Sequence, residues 1–136
     1  MEKREQIAAN GGVSERTPRA LHGTALRFDM AGEADALKKE DAWRVNGHNA
    51  RTLIKYEDFR VVLIALKTGA RVEEHQSDQH VTVQALSGRM RLCLSDETVE
   101  LAAGELLALD RGVAHDVEAL EDSLLLLSMG WFKRQS

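Results

Sequence analysis

Two short blocks of this sequence each place a histidine near glycines, and these histidines are the residues best suited to carry chemistry. The first block contains Gly69, His75 and Gly88, and the second contains Gly104, Gly112 and His115. Neutral imidazole binds divalent transition metals, and it also serves as a polar contact in an apolar ligand pocket. The two blocks, separated by residues 89–103, therefore mark the candidate site.

Short apolar runs separated by turn residues fill the chain from about residue 50 onward. The breaks between them are rich in Gly, Asp, Asn and Ser, which tolerate tight turns. Many short strands with almost no helix between them favour an antiparallel sandwich or barrel over a parallel sheet. The sequence therefore predicts an all-β domain with strands at about residues 50–56, 59–67, 71–75, 80–86, 89–94, 98–101, 105–109, 115–120 and 123–129.

The residues that precede these strands follow a different pattern. Residues 1–24 combine charges, a Gly-Gly pair and the one proline with few apolar side chains, which predicts a flexible arm or a segment that packs on a partner subunit. Between Asp29 and Trp43 the apolar residues follow helical spacing and predict a short amphipathic helix. We therefore expect a single domain over residues 25–136, in which this helix is attached to a barrel at about residues 50–129.

The composition is that of an ordinary globular domain. The 136 residues are 43% hydrophobic and 29% charged, and the formal net charge is −4, which leaves no broad basic surface for nucleic acid. The apolar runs are strand-sized and far shorter than the roughly 20 residues that span a bilayer. The polar N-terminus lacks the apolar core of a secretory signal, so we expect a cytoplasmic protein that binds neither nucleic acid nor membranes.

The spacing of the first block resembles the first motif of the cupin superfamily, in which a glycine is followed by two histidines, a glutamate and a second glycine. Gly69, His75 and Gly88 stand at the matching positions. Ser77 occupies the position of the second histidine, and Val81 occupies that of the glutamate. Two of the three metal-ligand positions in this motif are therefore substituted.

The second block resembles the second cupin motif. Gly104, Gly112 and His115 match it, whereas Asp110 replaces its proline and Ala119 replaces its asparagine. The two motifs in this order imply a double-stranded β-helix, which is the cupin jelly-roll barrel of RmlC-like proteins, with a short helix before it. In that fold the two histidines project into the mouth of the barrel.

Alternation along the strands then predicts what lines the barrel, because residues two apart on a strand share a face. If His75 faces inward, Glu73 and Ser77 do so too. The strands that contain Val81 and His115 would supply an apolar lining. That expected lining consists of Val81, Val83, Ala85, Val117 and Ala119.

Metal binding is one hypothesis for the histidines. The resemblance implies a divalent transition metal, namely iron, manganese, nickel, zinc or copper, held by His75 and His115. A third ligand would come from His80 or from Glu73, and His80 has the wrong parity unless a β-bulge resets its strand. The alternative is that the two histidines are remnants at the mouth of a barrel that binds an organic molecule or nothing.

Three functions are compatible with these residues. The first is a small-molecule-binding cupin without catalysis, which the apolar lining favours. The second is a metal-dependent enzyme of dioxygenase, isomerase or decarboxylase type that uses His75 and His115 as ligands. The third is a structural or regulatory dimer with an inert pocket. The apolar segment 123–129, followed by Trp131 and Phe132, also predicts a homodimer interface.

Overall fold

The computed structural model describes residues 19–73 and 78–131, which form two short helices and two antiparallel sheets. Each predicted strand is present within a few residues of its expected bounds. The helices are α1 Met30–Lys38 and α2 Asp41–Asn46. The strands are β1 His48–Lys55, β2 Phe59–Leu66, β3 Arg71–Glu73, β4 Val81–Ser87, β5 Arg89–Leu94, β6 Thr98–Ala102, β7 Leu106–Leu109, β8 His115–Ala119 and β9 Ser123–Gly130.

The two sheets enclose one apolar core. The larger sheet has the strand order β1-β2-β9-β4-β7, and the smaller has the order β3-β8-β5-β6. Side chains from the inner faces of both sheets form one cluster, to which Ile64, Leu92 and Leu125 belong. The predicted apolar lining is part of this core and is almost completely buried. Its members are Val81, Val83, Ala85, Val117 and Ala119.

A second apolar cluster lies on the outer face of the larger sheet, where the N-terminal helices cover it. Leu37 of α1 is fully buried there against Leu53, Leu63 and Ala65. The larger sheet is therefore apolar on both faces in this region, because it is covered by the smaller sheet on one side and by helices on the other. None of the helices in residues 19–73 and 78–131 is long and apolar enough to span a membrane.

The short helix expected between Asp29 and Trp43 is confirmed as α1, but it ends at Lys38, and a second helix, α2, begins after a break at Glu40. Glu40 has extended backbone angles, and its carboxylate accepts a hydrogen bond from Asn49 Nδ2 at 2.8 Å. It also contacts Arg51 at 3.3 Å. The break thus lets Glu40 leave the helical path and reach strand β1.

Ion pairs also connect α1 to the sheet and to the segment before the helix. The Glu33 carboxylate accepts hydrogen bonds from Arg19 at 2.7 Å and 3.0 Å and from Arg51 at 3.2 Å. The side chains of Glu33 and Arg51 are only 12% and 15% exposed. The hydrogen bond from Arg19 is the main reason that the pKa of Glu33 lies below its ordinary value, and Arg51 lowers the pKa further.

Replacing Glu33 with glutamine should destabilise the protein near neutral pH, and the loss should shrink in acid. The folded-state pKa of Glu33 is lowered, so its carboxylate stabilises the fold above the unfolded pKa of roughly 4.3. That contribution disappears as the pH falls through the folded pKa. Urea unfolding of both proteins over this range measures the difference, and a difference independent of pH would contradict the assignment.

The last strand, β9, occupies the centre of the larger sheet, between β2 and β4. Leu125 and Leu127 pack in the core, and Leu124 packs under the helices. This position accounts for the apolar segment 123–129 without a dimer interface. Trp131 follows the strand and is 42% exposed, whereas Phe132 lies outside the described residues.

Candidate functional site

The candidate site lies at the end of the barrel where strands β2, β4 and β8 begin, which we call the mouth. Residues 110–114 connect the end of β7 to His115, so His115 lies at the same end as Leu109. Leu109 pairs with Val81, and Val81 pairs with Met129. Met129 pairs in turn with Arg60 at the start of β2. Both sheets therefore contribute residues to the mouth.

His115 begins β8 and points into the interior. It is 4% exposed and shares the inward alternation of Val117. Its Nδ1 lies 3.3 Å from the carbonyl oxygen of Val113. Because a carbonyl oxygen only accepts hydrogen bonds, this contact favours the neutral tautomer that carries its proton on Nδ1 and keeps a lone pair on Nε2. The backbone contact thus orients the ring and favours this tautomer.

The Nε2 atom of His115 is buried and has no hydrogen-bond partner in the part of the chain that the structure describes. Leaving a buried polar atom unpaired costs about 1–3 kcal/mol. The other buried polar side chains of the described residues, Asn49 and Ser123, both have partners. Asn49 donates to the carbonyl of Leu37, and Ser123 donates to the carbonyl of Arg89. Among these three buried residues, His115 alone has a side-chain nitrogen without a partner in the described ranges, and such an atom calls for an explanation.

The loop before His115 is stabilised by Asp110, which stands at the proline position of the cupin pattern. Its Oδ1 accepts a hydrogen bond from the backbone N–H of Arg111 at 2.8 Å and lies 3.1 Å from His80 Nε2. The Arg111 N–H contributes most to holding the pKa of Asp110 below its ordinary value, and His80 lowers the pKa further. The contact between His80 and Asp110 connects the residue before β4 to the loop that positions His115.

His80 is not directed into the barrel. Its side chain is 64% exposed and pairs with an 81% exposed Asp110. The pairing of β4 with β7 and β9 is regular from Val81 to Ala85, so no bulge at the start of β4 reverses the orientation. His80 therefore keeps the outward parity that its sequence position indicates.

Glu73 is also exposed, contrary to the alternation that would turn it inward together with His75. The reason is the register of β3, in which Val72 pairs with Val117. Directly paired residues share a face, so Val72 packs against the core and Glu73 faces away from it. His75 and Ser77 lie outside the described residues.

The described residues do not by themselves fit a metal site with three protein ligands. Within residues 19–73 and 78–131, no group of three His, Cys, Asp or Glu side chains could hold an ion. Of the candidate ligands in these ranges, His115 alone is buried in the interior. A tight site generally needs at least three protein ligands.

Arg60 is a residue of the mouth that the motif analysis missed. Arg60 shares a face of β2 with Val62, Ile64 and Leu66, since successive members of this set are two residues apart. These three residues pack in or against the barrel core. Alternation alone would have assigned Arg60 to the inner face. Its guanidinium carbon lies 3.4 Å from the centre of the Trp131 ring.

The family model for a cupin domain matches residues 62–129. This chain belongs to the cupin family. The two-sheet arrangement of this cupin is accordingly the jelly-roll barrel, with its N-terminal helices packed on the outside of one sheet. No curated protein matches the sequence significantly.

Several solved structures are similar to this cupin in fold. An RmlC-like cupin from Shewanella frigidimarina is 16% identical, with a TM-score of 0.58 over 62% of this chain and 77% of that one. KdgF from Halomonas sp. is 23% identical, with a TM-score of 0.57 over 65% and 82% of the two chains. Oxalate decarboxylase from Bacillus subtilis is 25% identical, with a TM-score of 0.56 over 62% of this chain and 26% of that one. These similarities support the fold.

Proposed function

We propose that this cupin binds a small molecule inside its barrel and that His115 is the polar residue that orients it. The observation that carries the proposal is the lone pair of His115 Nε2, which is buried and has no partner within the described ranges. The core around it is apolar. Small-ligand pockets combine such an apolar lining with a few polar groups that fix the ligand's orientation.

The chemistry of this nitrogen favours binding. In the neutral tautomer, Nε2 accepts a hydrogen bond from a hydroxyl or N–H group of the ligand. General acid–base catalysis by His115 would require that its proton move to a reacting atom, and most such sites use a second titratable group. In residues 19–73 and 78–131, no second titratable side chain is buried in the core.

A metal-dependent enzyme is the second candidate, in which His75 would join His115 as a ligand to a divalent transition metal. The same Nε2 lone pair favours it, because neutral imidazole nitrogen is a good ligand for such ions. The two candidates therefore share His115 and differ in what contacts it.

Analysis of protein purified without an affinity tag or chelators distinguishes these candidates. We expect metal far below stoichiometric amounts in the wild type, even after incubation with iron(II), manganese, nickel, zinc or copper. Denaturing mass spectrometry should detect an organic molecule released from the wild type but not from His115→Ala. Stoichiometric metal that is lost in His115→Ala would instead support the enzyme and contradict the metal-free proposal.

We also propose that the protein is a cytoplasmic homodimer. Leu106 lies on β7, which pairs on one side only within the described part of the chain, and its side chain is 59% exposed. A second copy would cover this apolar side chain and the unpaired strand edge. The free thiol of Cys93 is suited to a reducing compartment. The molar mass in solution tests the assembly, and a monomer at micromolar concentration would contradict it.

A further inference from the structure

Arg60 places a positive charge at the inner face of the mouth. The register pairs it with Met129, whose side chain packs against the barrel core. Because directly paired residues share a face, Arg60 and Met129 both lie on the side of the larger sheet that faces the interior. Arg60 and His115 are thus at the same end of the barrel, on opposite sheets.

The guanidinium of Arg60 is held in a defined orientation. Its central carbon stacks 3.4 Å from the centre of the Trp131 ring, which is the close, planar packing that arginine makes on aromatic faces. The Nε atom is buried. A stacked guanidinium presents its N–H groups around the edge of its plane, and these five donors can serve several acceptors at once.

We propose that Arg60 binds the carboxylate of a small organic anion whose apolar body enters the barrel. This inference rests on the proposed function and names its ligand class. The planar fork of a guanidinium matches a carboxylate with two parallel hydrogen bonds. A hydroxyl group of the same ligand would donate a hydrogen bond to His115 Nε2. The class of ligand that fits both residues is therefore a hydroxycarboxylate with a hydrocarbon body.

A single carboxylate matches this mouth better than a phosphate group. A phosphate monoester carries close to two negative charges at neutral pH, whereas the guanidinium of Arg60 supplies one positive charge. The nearby rim also carries the ionised carboxylate of Asp110, which is 81% exposed, and its charge opposes a dianion. A monoanion avoids most of this repulsion.

The test uses Trp131 as a fluorescent reporter. The chain has two tryptophans, so Trp43→Phe leaves only the one that stacks on Arg60. Mandelate and lactate are titrated into this protein alongside mandelamide and lactamide, which are neutral and nearly isosteric. We expect the carboxylates to bind at least about tenfold more tightly than the amides, because a charge-assisted hydrogen bond contributes about 1.5–3 kcal/mol.

Two substitutions assign this preference to Arg60. Arg60→Gln should abolish the preference for carboxylates over amides. Arg60→Lys should retain part of this preference, because lysine keeps the charge but not the planar fork. Arg111→Gln is the matched control, since Arg111 is an exposed arginine in the loop at the same end, and it should leave the preference unchanged. Thermal melts of each variant show that the fold is retained.

The outcomes separate this inference from the proposed function. Amides that bind the wild type as tightly as the carboxylates would overturn the role of Arg60 while leaving small-molecule binding intact. An equal loss in Arg111→Gln, or equally strong competition by inorganic phosphate, would also overturn it. Absence of binding by every probe, with no organic molecule released from the purified protein, would contradict both proposals.

Discussion

Replacing Gly88 with alanine should lower the free energy of unfolding by about 3 kcal/mol or more. Gly88 forms the turn between β4 and β5 with φ +81°, where a residue with a side chain costs roughly 1–2 kcal/mol. A Cβ at this position would also overlap the carbonyl oxygen of Asp122 and the hydroxyl of Ser123. Both neighbours are held, since Asp122 accepts hydrogen bonds from Thr68 and Ser123 donates to the carbonyls of Arg89 and Glu121.

Gly112→Ala is the matched control for this prediction. Gly112 has a similar φ of +78°, but apart from its chain neighbours no atom of the described residues lies within 4 Å of the position that its Cβ would take. Its substitution should therefore cost only the conformational term of roughly 1–2 kcal/mol. Urea unfolding of both variants measures the difference, and equal losses would show that the close approach of the two turns at Gly88 contributes nothing.

Replacing His115 with leucine should weaken ligand binding without destabilising the fold. Leucine has a similar size and removes the unpaired Nε2 atom, whose burial costs about 1–3 kcal/mol. The substitution also loses the long hydrogen bond to Val113, so we expect the free energy of unfolding to stay unchanged or to rise by about 1 kcal/mol. Loss of a hydrogen bond to a buried ligand should weaken binding at least about tenfold.

Asn49→Leu provides the contrasting case for His115→Leu. Asn49 is 2% exposed, and its amide donates to Leu37 and to Glu40 at 2.9 Å and 2.8 Å. Leucine would leave these acceptors unpaired, so the fold should lose about 2–4 kcal/mol. Chemical unfolding of the two variants gives the comparison. A loss at His115 as large as that at Asn49 would indicate a structural role for the imidazole.

The two variants together separate a residue kept for function from one kept for folding. A buried polar group with complete hydrogen bonding stabilises its surroundings, whereas one that lacks a partner reduces stability and is explained by what it binds. The opposite signs expected at His115 and Asn49 follow from this difference.

The strands could be predicted because they depend on local patterns, and the inward direction of His115 was implied by the resemblance of its block to the second cupin motif. Turn residues separate the apolar runs, and the spacing of the second motif places His115 at the start of a strand. Alternation from Val81 and His115 correctly predicted the apolar lining of the barrel. These features depend on the period of the strands and require no knowledge of which strands are neighbours.

The remaining features depend on contacts between distant residues. The helix breaks at Glu40 because Asn49 and Arg51, on the first strand, bind its carboxylate. Glu73 faces solvent because β3 pairs with β8 in a particular register. Arg60 lies before the first motif, and its stacking on Trp131 joins the beginning of β2 to the end of β9. Alternation alone would have assigned Arg60 to the inner face, but local spacing does not show which distant residues are in contact.

The central claim is that Nε2 of His115 contacts a ligand in the barrel, and nitrogen NMR of the imidazole rings tests it most directly. The His115 signals are assigned by their absence in His115→Leu. The account predicts that the neutral ring carries its proton on Nδ1 and none on Nε2, and that the Nε2 resonance shifts when mandelate or the co-purified molecule is added. A proton on Nε2 of the free, neutral ring, or an Nε2 resonance that no bound probe shifts, would contradict it.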